Sequence, residues 1–312
     1  MNSFSLDPDN LDASVRCGMV AIVGKTNVGK STLLNRILEE KVSIVSNVVQ
    51  TTRNVIRAIL TEERGQLVFL DTPGIHKPMN DLGRTMNKSA RQSIEGIDIS
   101  LLMLDASNEP EEEDEGCMRR LLFADSEVIA VLNKQDLNPK HGEAYKACWA
   151  RLEEEKQTKK DITWFDLSAR TGQGVDDLLA FMFEHVPLGP QLFPEDVLTD
   201  FPKKLILSDT IREKFFHQLH DEVPHQLAVG IDRLRETDKE WRIEATVYVN
   251  RPSQKGIVIG KNGRLLKKVS HEAEKELSAM YDRPVRLDKL WVKVEKNWMA
   301  NHFKLKQLGY KE

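Results

Sequence analysis

A glycine-rich motif at 24–31 has the residue types and spacing that bind a nucleotide phosphate. Its letters, GKTNVGKS, fit G-x-x-x-x-G-K-[ST], and the motif follows an apolar run and opens a helical pattern. Gly24 and Gly29 would let backbone N–H groups wrap around phosphates, and the helix amino terminus would add positive potential. We expect Lys30 to reach the β- and γ-phosphates and the Ser31 hydroxyl to bind Mg²⁺.

Three shorter motifs follow apolar runs farther along the chain: DTPG at 71–74, NKQD at 133–136 and Ser-Ala at 168–169. Each arises often by chance, but open α/β sheets bind ligands at the carboxyl ends of their strands, so the three in succession favour one site. Asp71 would hold Mg²⁺ through a water molecule, and the Gly74 N–H would meet the γ-phosphate. The chain therefore carries the parts of a Mg²⁺-dependent nucleotide site.

The NKQD motif predicts which base the site selects. The Asp136 carboxylate can accept hydrogen bonds from guanine N1–H and the exocyclic amine. Adenine presents an acceptor at N1 and no amine at that edge, so the carboxylate would be left without partners. Asn133 would brace the loops, the Lys134 stem would cover the base, and the backbone at Ser168 and Ala169 would donate to guanine O6. The sequence therefore predicts a guanine site.

A parallel sheet would bring these motifs together, and the pattern of apolar residues between them predicts such a sheet. Continuous apolar runs typical of buried strands alternate with helical patterns through the first 186 residues. The predicted strands are 19–23, 67–70, 99–104, 128–132 and 163–167, and the predicted helices include 30–40, 84–94 and 114–123. The fold expected is α/β, a doubly wound, mostly parallel sheet of the P-loop NTPase type. The acidic run 111–115 would only start a helix.

Length and charge predict a second, smaller domain. A chain of 312 residues exceeds the usual size of a single core. From Lys203 onward it holds 23 Lys and Arg against 16 Asp and Glu, whereas the preceding part holds 22 against 33. This split suggests that only the basic part meets a polyanion. The alternative, a mere difference between solvated surfaces, explains the charges equally well.

Cysteine usage and hydropathy exclude several protein classes. The three cysteines, Cys17, Cys117 and Cys148, are far apart, so neither a disulfide framework nor a zinc site is predicted, which fits a reducing cytoplasm. The acidic amino terminus lacks the apolar run of a signal peptide. No stretch approaches the roughly 20 apolar residues of a membrane span. A cytoplasmic protein is therefore expected.

The carboxy-terminal third has the pattern of an α+β domain. The proline-rich stretch 186–202 is typical of a linker. After it the pattern predicts, in order, a helix at 206–219, strands at 227–233 and 241–249, a short helix ending at Ile259, a helix at 264–281, a strand at 285–294 and a final helix. The G-x-x-G motif at 260–263 lies between the two central helices, where a KH domain places its backbone clamp.

The G-x-x-G turn and its flanks form a candidate RNA site. Two glycines permit a tight turn that a nucleic-acid backbone can approach, neighbouring basic side chains supply charge, and two isoleucines would wall an apolar groove for bases. A lone G-x-x-G is more often an ordinary turn, but the flanking elements and the basic balance favour RNA. The predicted contacts are Ile257, Ile259, Gly260, Lys261, Asn262, Gly263, Arg264, Lys267 and Lys268. Trp241, Trp291 and Trp298 could serve as stacking platforms for bases, but Trp291 lies inside an apolar strand run and is predicted to lie in the core.

From Gly18 to Tyr310 the chain resembles the Era family of translation-factor-like P-loop GTPases. Besides the motifs above, QTTR at 50–53, DTPGIHK from Asp71 and LWVKV from Leu290 are similar to that family. The resemblance implies a type II KH domain that binds single-stranded small-subunit ribosomal RNA near its 3′ end, and a GTP-dependent role in small-subunit assembly. It also implies that Thr52 binds Mg²⁺ and senses the γ-phosphate. The implied switch loop is Gln50, Thr51, Thr52, Arg53 and Asn54.

Two departures from common patterns bear on catalysis. Thr26 stands where the family usually has proline, which alters loop stiffness. Ile75 stands where Ras-like enzymes have the glutamine that orients the attacking water, so we expect slow hydrolysis, helped by a partner or a cation. Asn27 matches the asparagine that holds K⁺ in potassium-activated relatives, so K⁺ stimulation is a hypothesis. The predicted catalytic residues are Lys30, Thr52 and Gly74, and the predicted Mg²⁺ ligands are Ser31, Thr52 and Asp71.

The full set of predictions covers contacts, domains and partners. The predicted nucleotide contacts are Gly24, Lys25, Thr26, Asn27, Val28, Gly29, Lys30, Ser31, Thr32, Asp71, Thr72, Pro73, Gly74, Ile75, Asn133, Lys134, Asp136, Ser168 and Ala169. The predicted domains are an amino-terminal tail at 1–17, a GTP-binding domain at 18–187, a linker at 188–204 and a KH domain with a carboxy-terminal helix at 205–312. A monomer is expected, with peripheral contact to the inner face of the cell membrane.

Two alternatives stay open at the sequence level. The chain could be an RNA chaperone whose nucleotide site is structural. It could also be a GTPase of another branch whose basic domain binds protein or anionic lipid.

Overall fold

The structure, a computed structural model, describes residues 15–40, 56–71, 96–219 and 222–310, with only the backbone of Ile56 and Asp71. Contacts divide the chain into two compact units. The first holds 15–38, 56–71 and 96–200, and the second holds 201–219 and 222–310. No helix in these ranges has both the length and the apolar character that crossing a membrane requires.

The first unit is built on a six-stranded sheet. In chain order its strands are β1 (Arg16–Val23), β2 (Ile56–Glu62), β3 (Gly65–Asp71), β4 (Ile99–Asp105), β5 (Glu127–Asn133) and β6 (Ile162–Asp166). They lie in the order β2-β3-β1-β4-β5-β6, and every pair is parallel except β2 with β3. The predicted mostly parallel α/β sheet is confirmed. The sequence pattern missed β2, which is one of the two edge strands of this sheet and pairs only with β3 within it.

Four described helices accompany this sheet: α1 (Lys30–Leu38), α2 (Glu112–Leu121), α3 (Gly142–Lys156) and α4 (Val175–His185). The predicted helix at 84–94 lies outside the described residues. Helix α2 begins two residues before the predicted start because Asp114 caps it, its Oδ2 accepting the Glu111 N–H at 3.0 Å.

The proline-rich stretch predicted as a linker contacts the first sheet through residue-specific bonds. Gln66 is fully buried, and its amide accepts the N–H groups of Leu192 and Phe193 while donating to the Phe193 carbonyl. The Ile59 N–H donates to the Leu198 carbonyl at 2.9 Å. This stretch is therefore held in place up to residue 200, although it contains no regular helix. The predicted domain boundaries at 187 and 204 stay predictions.

The second unit has the predicted order of helix, strand, strand, helix, helix, strand and final helix. Its elements are α5 (Lys203–Phe216), β7 (Leu227–Glu236), β8 (Trp241–Val249), α6 (Pro252–Ile259), α7 (Arg264–Met280), β9 (Val285–Val294) and α8 (His302–Gln307). Strand β8 lies in the middle, antiparallel to β7 and parallel to β9. Apolar residues of α5, α6 and α7 pack with one face of this sheet to form the core.

The opposite face of the second sheet, here called the outer face, is only partly covered. Ala228 and Tyr248 lie under Trp298, Leu305 and other residues of the carboxy-terminal segment. The prediction that Trp291 lies in the core is wrong, because its side chain is 60% exposed. Residues alternate between the faces of a strand, so Trp291 faces away from the core that its neighbours enter.

Candidate nucleotide and nucleic-acid sites

The loop at 24–29 joins β1 to α1 and packs closely against neighbouring strands. A Cβ atom on Gly24 would lie 2.4 Å from the Met103 carbonyl oxygen. One on Gly29, whose φ is +105°, would lie 2.3 Å from Asn133 Nδ2. Both glycines are therefore required by packing as well as by any phosphate that approaches the loop.

Lys30 is folded back into the loop at the start of α1. Its Nζ donates to the carbonyl oxygens of Gly24 at 3.0 Å and Lys25 at 2.7 Å, and the residue is 8% exposed. The ammonium thus lies where the loop backbone curves around it. Phosphate oxygens entering the loop would replace these neutral carbonyl acceptors with charged ones, which bind the ammonium more strongly.

Lys25, predicted to contact the nucleotide, is held by carboxylates of α2. Its Nζ lies 2.8 Å from Asp114 Oδ2 and 3.3 Å from Glu111 Oε2. Burial alone would lower the pKa of Lys25, but Asp114 and then Glu111 outweigh it and raise that pKa above its ordinary value. The acidic run given no role in the sequence therefore anchors the phosphate loop, and Lys25 acts as a positioning residue.

Asp114→Asn should destabilise the protein because it removes the charge that neutralises a buried ammonium. Asp114 is fully buried, and Lys25 is 8% exposed. We expect the free energy of unfolding to fall by about 2 kcal/mol, less than for a wholly buried pair because Glu111 remains. Urea denaturation of the nucleotide-free protein measures this.

Glu113→Gln is the matched control, since it makes the same change at an exposed position one residue away. If the two variants unfold at the same urea concentration, the anchoring role of Asp114 is wrong.

Asn133 connects three loops at the carboxyl end of the sheet. Its Nδ2 donates to the Val28 carbonyl at 2.6 Å, and its Oδ1 accepts the Ala169 N–H at 2.9 Å. The side chain is almost completely buried. The segments following β1, β5 and β6 are therefore fixed relative to one another before any ligand binds.

The Asp136 carboxylate is oriented by the loop after β6. Ser168 Oγ donates to Asp136 Oδ1 at 2.6 Å and in turn accepts the Thr171 N–H at 3.2 Å. Arg170 Nε lies 3.4 Å from Asp136 Oδ2. The sequence did not predict Arg170. Because Arg170 is exposed, a bound base could replace it at Oδ2 at little cost.

Lys134 lies in the left-handed region with φ of 70°, and its Nζ donates to Asp105 Oδ2 at 2.6 Å. Burial would raise the pKa of Asp105, but hydrogen bonds from Lys134 and Ser107 outweigh it and hold that pKa below its ordinary value. Asp105 was missed by motif analysis. The available signal was its position as the last residue of β4, in line with Asn133 at the end of β5.

The remaining predicted nucleotide contacts lie near the start of α1, at the end of β3 or outside the described residues. Ser31 lies at the second position of α1, next to Lys30, and is partly exposed, as are Thr26 and Thr32. In the described ranges, no cluster of three or more His, Cys, Asp and Glu side chains could hold a metal ion. The Asp71 backbone ends β3, but its side chain is not described. Gln50, Thr51, Thr52, Arg53, Asn54, Thr72, Pro73, Gly74 and Ile75 lie outside the described residues.

The G-x-x-G turn joins α6 to α7 with three positive φ angles in four residues. Gly260 has φ of 73° and Gly263 φ of 72°, with Asn262 at 54° between them. A Cβ atom on Gly260 would lie 2.7 Å from Leu265 Cβ, whereas one on Gly263 would meet nothing within 4 Å. Gly260 thus shapes the turn, and Gly263 leaves space beside the backbone that a ligand can occupy.

Predicted RNA contacts surround this turn and are exposed. Lys261, Asn262, Arg264 and Lys267 are exposed, and none of the three basic ones forms an ion pair within the described part of the chain. Lys268 differs, because its Nζ donates to Gln218 Oε1 at 2.9 Å. The apolar wall is uneven: Ile257 is 49% exposed and Ile259 is partly buried. The structure therefore brings the predicted residues to one turn.

Comparison with known proteins covers both units. The family described as "50S ribosome-binding GTPase" matches residues 19–134, and the family described as "KH domain" matches residues 222–299. Among curated proteins, GTPase Era of Clostridium novyi is 41% identical and GTPase Era of Thermoanaerobacter sp. 42% identical. Each alignment covers 95% of this chain, and covers 99% and 96% of the relative, respectively.

Comparison with solved structures also finds Era proteins. The crystal structure of an Aquifex aeolicus Era variant bound to GDP.AlF4⁻ has a TM-score of 0.86 at 35% identity. An Era structure in complex with MgGDPNP and nucleotides 1506–1542 of 16S ribosomal RNA has a TM-score of 0.85 at 36% identity. Both cover 96% of this chain and all of the matched chain. With this identity sustained across both units, the chain belongs to the Era family of GTPases.

Proposed function

We propose that this chain is a slow GTP-hydrolysing switch that binds small-subunit ribosomal RNA near its 3′ end and assists assembly of that subunit. The observation that carries the proposal is the likeness, over 96% of this chain, to an Era structure holding MgGDPNP and a 16S ribosomal RNA fragment. Because that alignment spans both units, it supports the nucleotide part and the RNA part together.

The nucleotide part is supported by the geometry at the carboxyl end of the first sheet. Lys30 lies within the loop at 24–29, Asn133 connects three loops, and Ser168 orients Asp136. In this proposal Lys30 binds the β- and γ-phosphates, and Asp136 accepts the N1–H and amine of guanine. The resemblance implies that GTP hydrolysis would release Thr52 and Gly74, which lie outside the described residues, from the γ-phosphate.

Cations belong to the same proposal. A serine hydroxyl adjoining the phosphate-loop lysine is a hard oxygen donor, so Ser31 fits Mg²⁺, which takes few protein ligands and several from phosphate and water. When bound, Mg²⁺ would neutralise charge on the β- and γ-phosphates. K⁺ near Asn27 is a second hypothesis, which rests on the match of Asn27 to the asparagine that holds K⁺ in potassium-activated relatives.

The RNA part assigns the clamp to the turn at 260–263. Lys261, Arg264 and Lys267 would meet phosphates, and the partly exposed Ile257 would contact bases. A monomer in the cytoplasm, with peripheral contact to the membrane, completes the proposal. Anionic lipid remains the rival polyanion for the same basic surface.

A single-turnover hydrolysis assay tests the enzymatic proposal. Wild-type protein should hydrolyse GTP slowly, and Lys30→Ala should lower the rate by about a hundredfold or more, because the lysine stabilises charge developing on the phosphates. Lys140→Ala, at an exposed lysine, is the control. Removal of Mg²⁺ should abolish hydrolysis, and K⁺ should give a higher rate than Na⁺.

Equal rates for Lys30→Ala and wild type would favour the alternative of an RNA chaperone with a structural nucleotide. Equal rates in K⁺ and Na⁺ would remove only the potassium hypothesis.

A further inference from the structure

Three arginines lie side by side across the outer face of the second sheet. Arg235 of β7 is paired with Arg242 of β8, which is paired with Arg286 of β9. Their sequence neighbours Leu234, Ile243 and Leu287 belong to the core on the other face, so the arginines project outward. All three are exposed, and strand spacing makes the row about 10 Å wide.

This arrangement is unfavourable for the isolated chain. Like charges directly opposite on neighbouring strands destabilise a sheet. Arg242 is compensated, with Glu240 at 2.8 Å and Asp288 at 3.8 Å. Arg235 and Arg286, by contrast, form no ion pair with any residue that the structure describes. A ligand carrying negative charge would therefore find two guanidinium groups ready to bind it.

The next row of residues on the outer face extends the basic surface. It consists of Arg233, Glu244 and Lys289, with 3.3 Å between Lys289 Nζ and Glu244 Oε1. The two rows thus contain five basic residues and one acidic residue. Even with Asp288, Asp232 and Glu240 nearby, the excess is positive, which favours a ligand that carries negative charge.

Trp291 adjoins these rows. It is paired with Thr246 in the third outward row and is 60% exposed. The carboxy-terminal segment covers the fourth row at Tyr248 and reaches Gly230 in the third row through Leu308, but Trp291 at the other end of that row stays exposed. An exposed indole on the same face as the row of guanidinium groups, two rows away, combines a stacking surface for a base with donors for phosphates.

We propose that the outer face is a second contact surface for single-stranded RNA, separate from the turn at 260–263. A base stacks on Trp291, and phosphates farther along the RNA strand bind the row that holds Arg235 and Arg286. This inference rests on the RNA binding proposed above and extends it. A KH clamp engages about four nucleotides, so a longer strand would occupy both surfaces and a short one only the clamp.

Fluorescence anisotropy with the full-length protein and two lengths of RNA tests the proposal. The probes are the last ~16 nucleotides of small-subunit ribosomal RNA and nested fragments of about five nucleotides that fill only a KH clamp. Arg235→Gln/Arg286→Gln should bind the longer RNA about tenfold more weakly. The plot of log affinity against log salt concentration should also be less steep, because roughly one to two fewer counterions are released on binding. Binding of the short RNA should be unchanged.

Trp291 provides an independent readout. Trp291→Ala should weaken binding of the longer RNA about five- to tenfold, whereas Trp291→Phe should retain the affinity because it keeps an aromatic face. Both variants should lose the part of the protein's fluorescence that RNA quenches through Trp291. If the alanine variant does not fold, the loss of quenching in the phenylalanine variant decides whether RNA contacts Trp291.

Lys275→Gln/Lys306→Gln removes the same charge from exposed positions on α7 and α8 and should behave as wild type. Unchanged affinity of the arginine variant for the longer RNA would overturn the proposal and favour a protein at this face. An equal loss for both RNA lengths, or for the control, would also overturn it. If wild-type protein bound neither RNA, the proposed function itself would fail.

Discussion

Asp136→Asn should weaken GTP binding by at least about a hundredfold and create affinity for xanthosine triphosphate. Guanine presents two donors at its N1 and amine edge, which a carboxylate accepts and an amide cannot, because one amide group is itself a donor. Xanthine carries a carbonyl in place of the amine and so matches an amide. Calorimetric titration with both nucleotides measures the exchange of specificity.

The control for this prediction is Asp161→Asn, the same change at an exposed position. It should bind GTP as wild type does and should not bind xanthosine triphosphate. Retention of full GTP affinity by Asp136→Asn would contradict the guanine assignment. Loss of GTP affinity without gain for xanthosine triphosphate would point instead to a collapsed loop.

The expected size of this effect depends on how firmly Asp136 is held. Ser168 fixes one carboxylate oxygen, and Asn133 ties the loop that carries Ser168 to the phosphate loop. A preorganised acceptor loses little entropy on binding, so a mismatch appears in full as lost affinity. In a mobile loop, the asparagine could turn away and part of the effect would disappear.

The clustering of the proposed guanine-site residues was predictable because they lie in short motifs after apolar strands. The order of motifs, combined with the rule that ligands bind at the carboxyl ends of parallel strands, placed Gly29 near Asn133 across 104 residues of sequence. This placement did not require knowledge of any side-chain contact. Motif spacing and sheet topology carried the information.

Contacts between unrelated segments were not predictable. Lys25 and Asp114 are 89 residues apart, and neither belongs to a motif that names the other. From the sequence, Gln66 is expected to be a polar residue facing solvent in a strand. It is completely buried, however, and bonds Phe193 of the proline-rich stretch, 127 residues along the chain. Such pairs arise from tertiary packing, which a single sequence does not encode in a local pattern.

Trp291 shows a different error, because a local signal was present and was outweighed. The run from Lys289 to Val294 alternates polar and apolar positions apart from this tryptophan. Strand periodicity therefore placed Trp291 on the face of Lys289 and Lys293, away from the core. Assigning Trp291 to the core because it lies inside an apolar run ignored this alternation, and the outer face is only partly covered.

Gly263→Asp should lower affinity for single-stranded RNA by tens to hundreds of fold while leaving the fold intact. Gly263 lies in the left-handed region, where an added Cβ atom would meet nothing within 4 Å, and aspartate tolerates that conformation. A carboxylate about 4 Å from an RNA phosphate repels it by about 1–4 kcal/mol, depending on local screening. Anisotropy titration with the short RNA measures the loss.

Gly263→Asn separates charge from shape, because asparagine has nearly the same size and the same tolerance for a positive φ. We expect it to bind RNA much closer to wild type than aspartate does. Gly260→Asp should have a different effect, because the added Cβ would lie 2.7 Å from the Cβ of Leu265. This substitution should therefore also lower the melting temperature. Undiminished RNA binding by Gly263→Asp would remove this turn from the RNA site and leave the outer face as the basic surface to be tested.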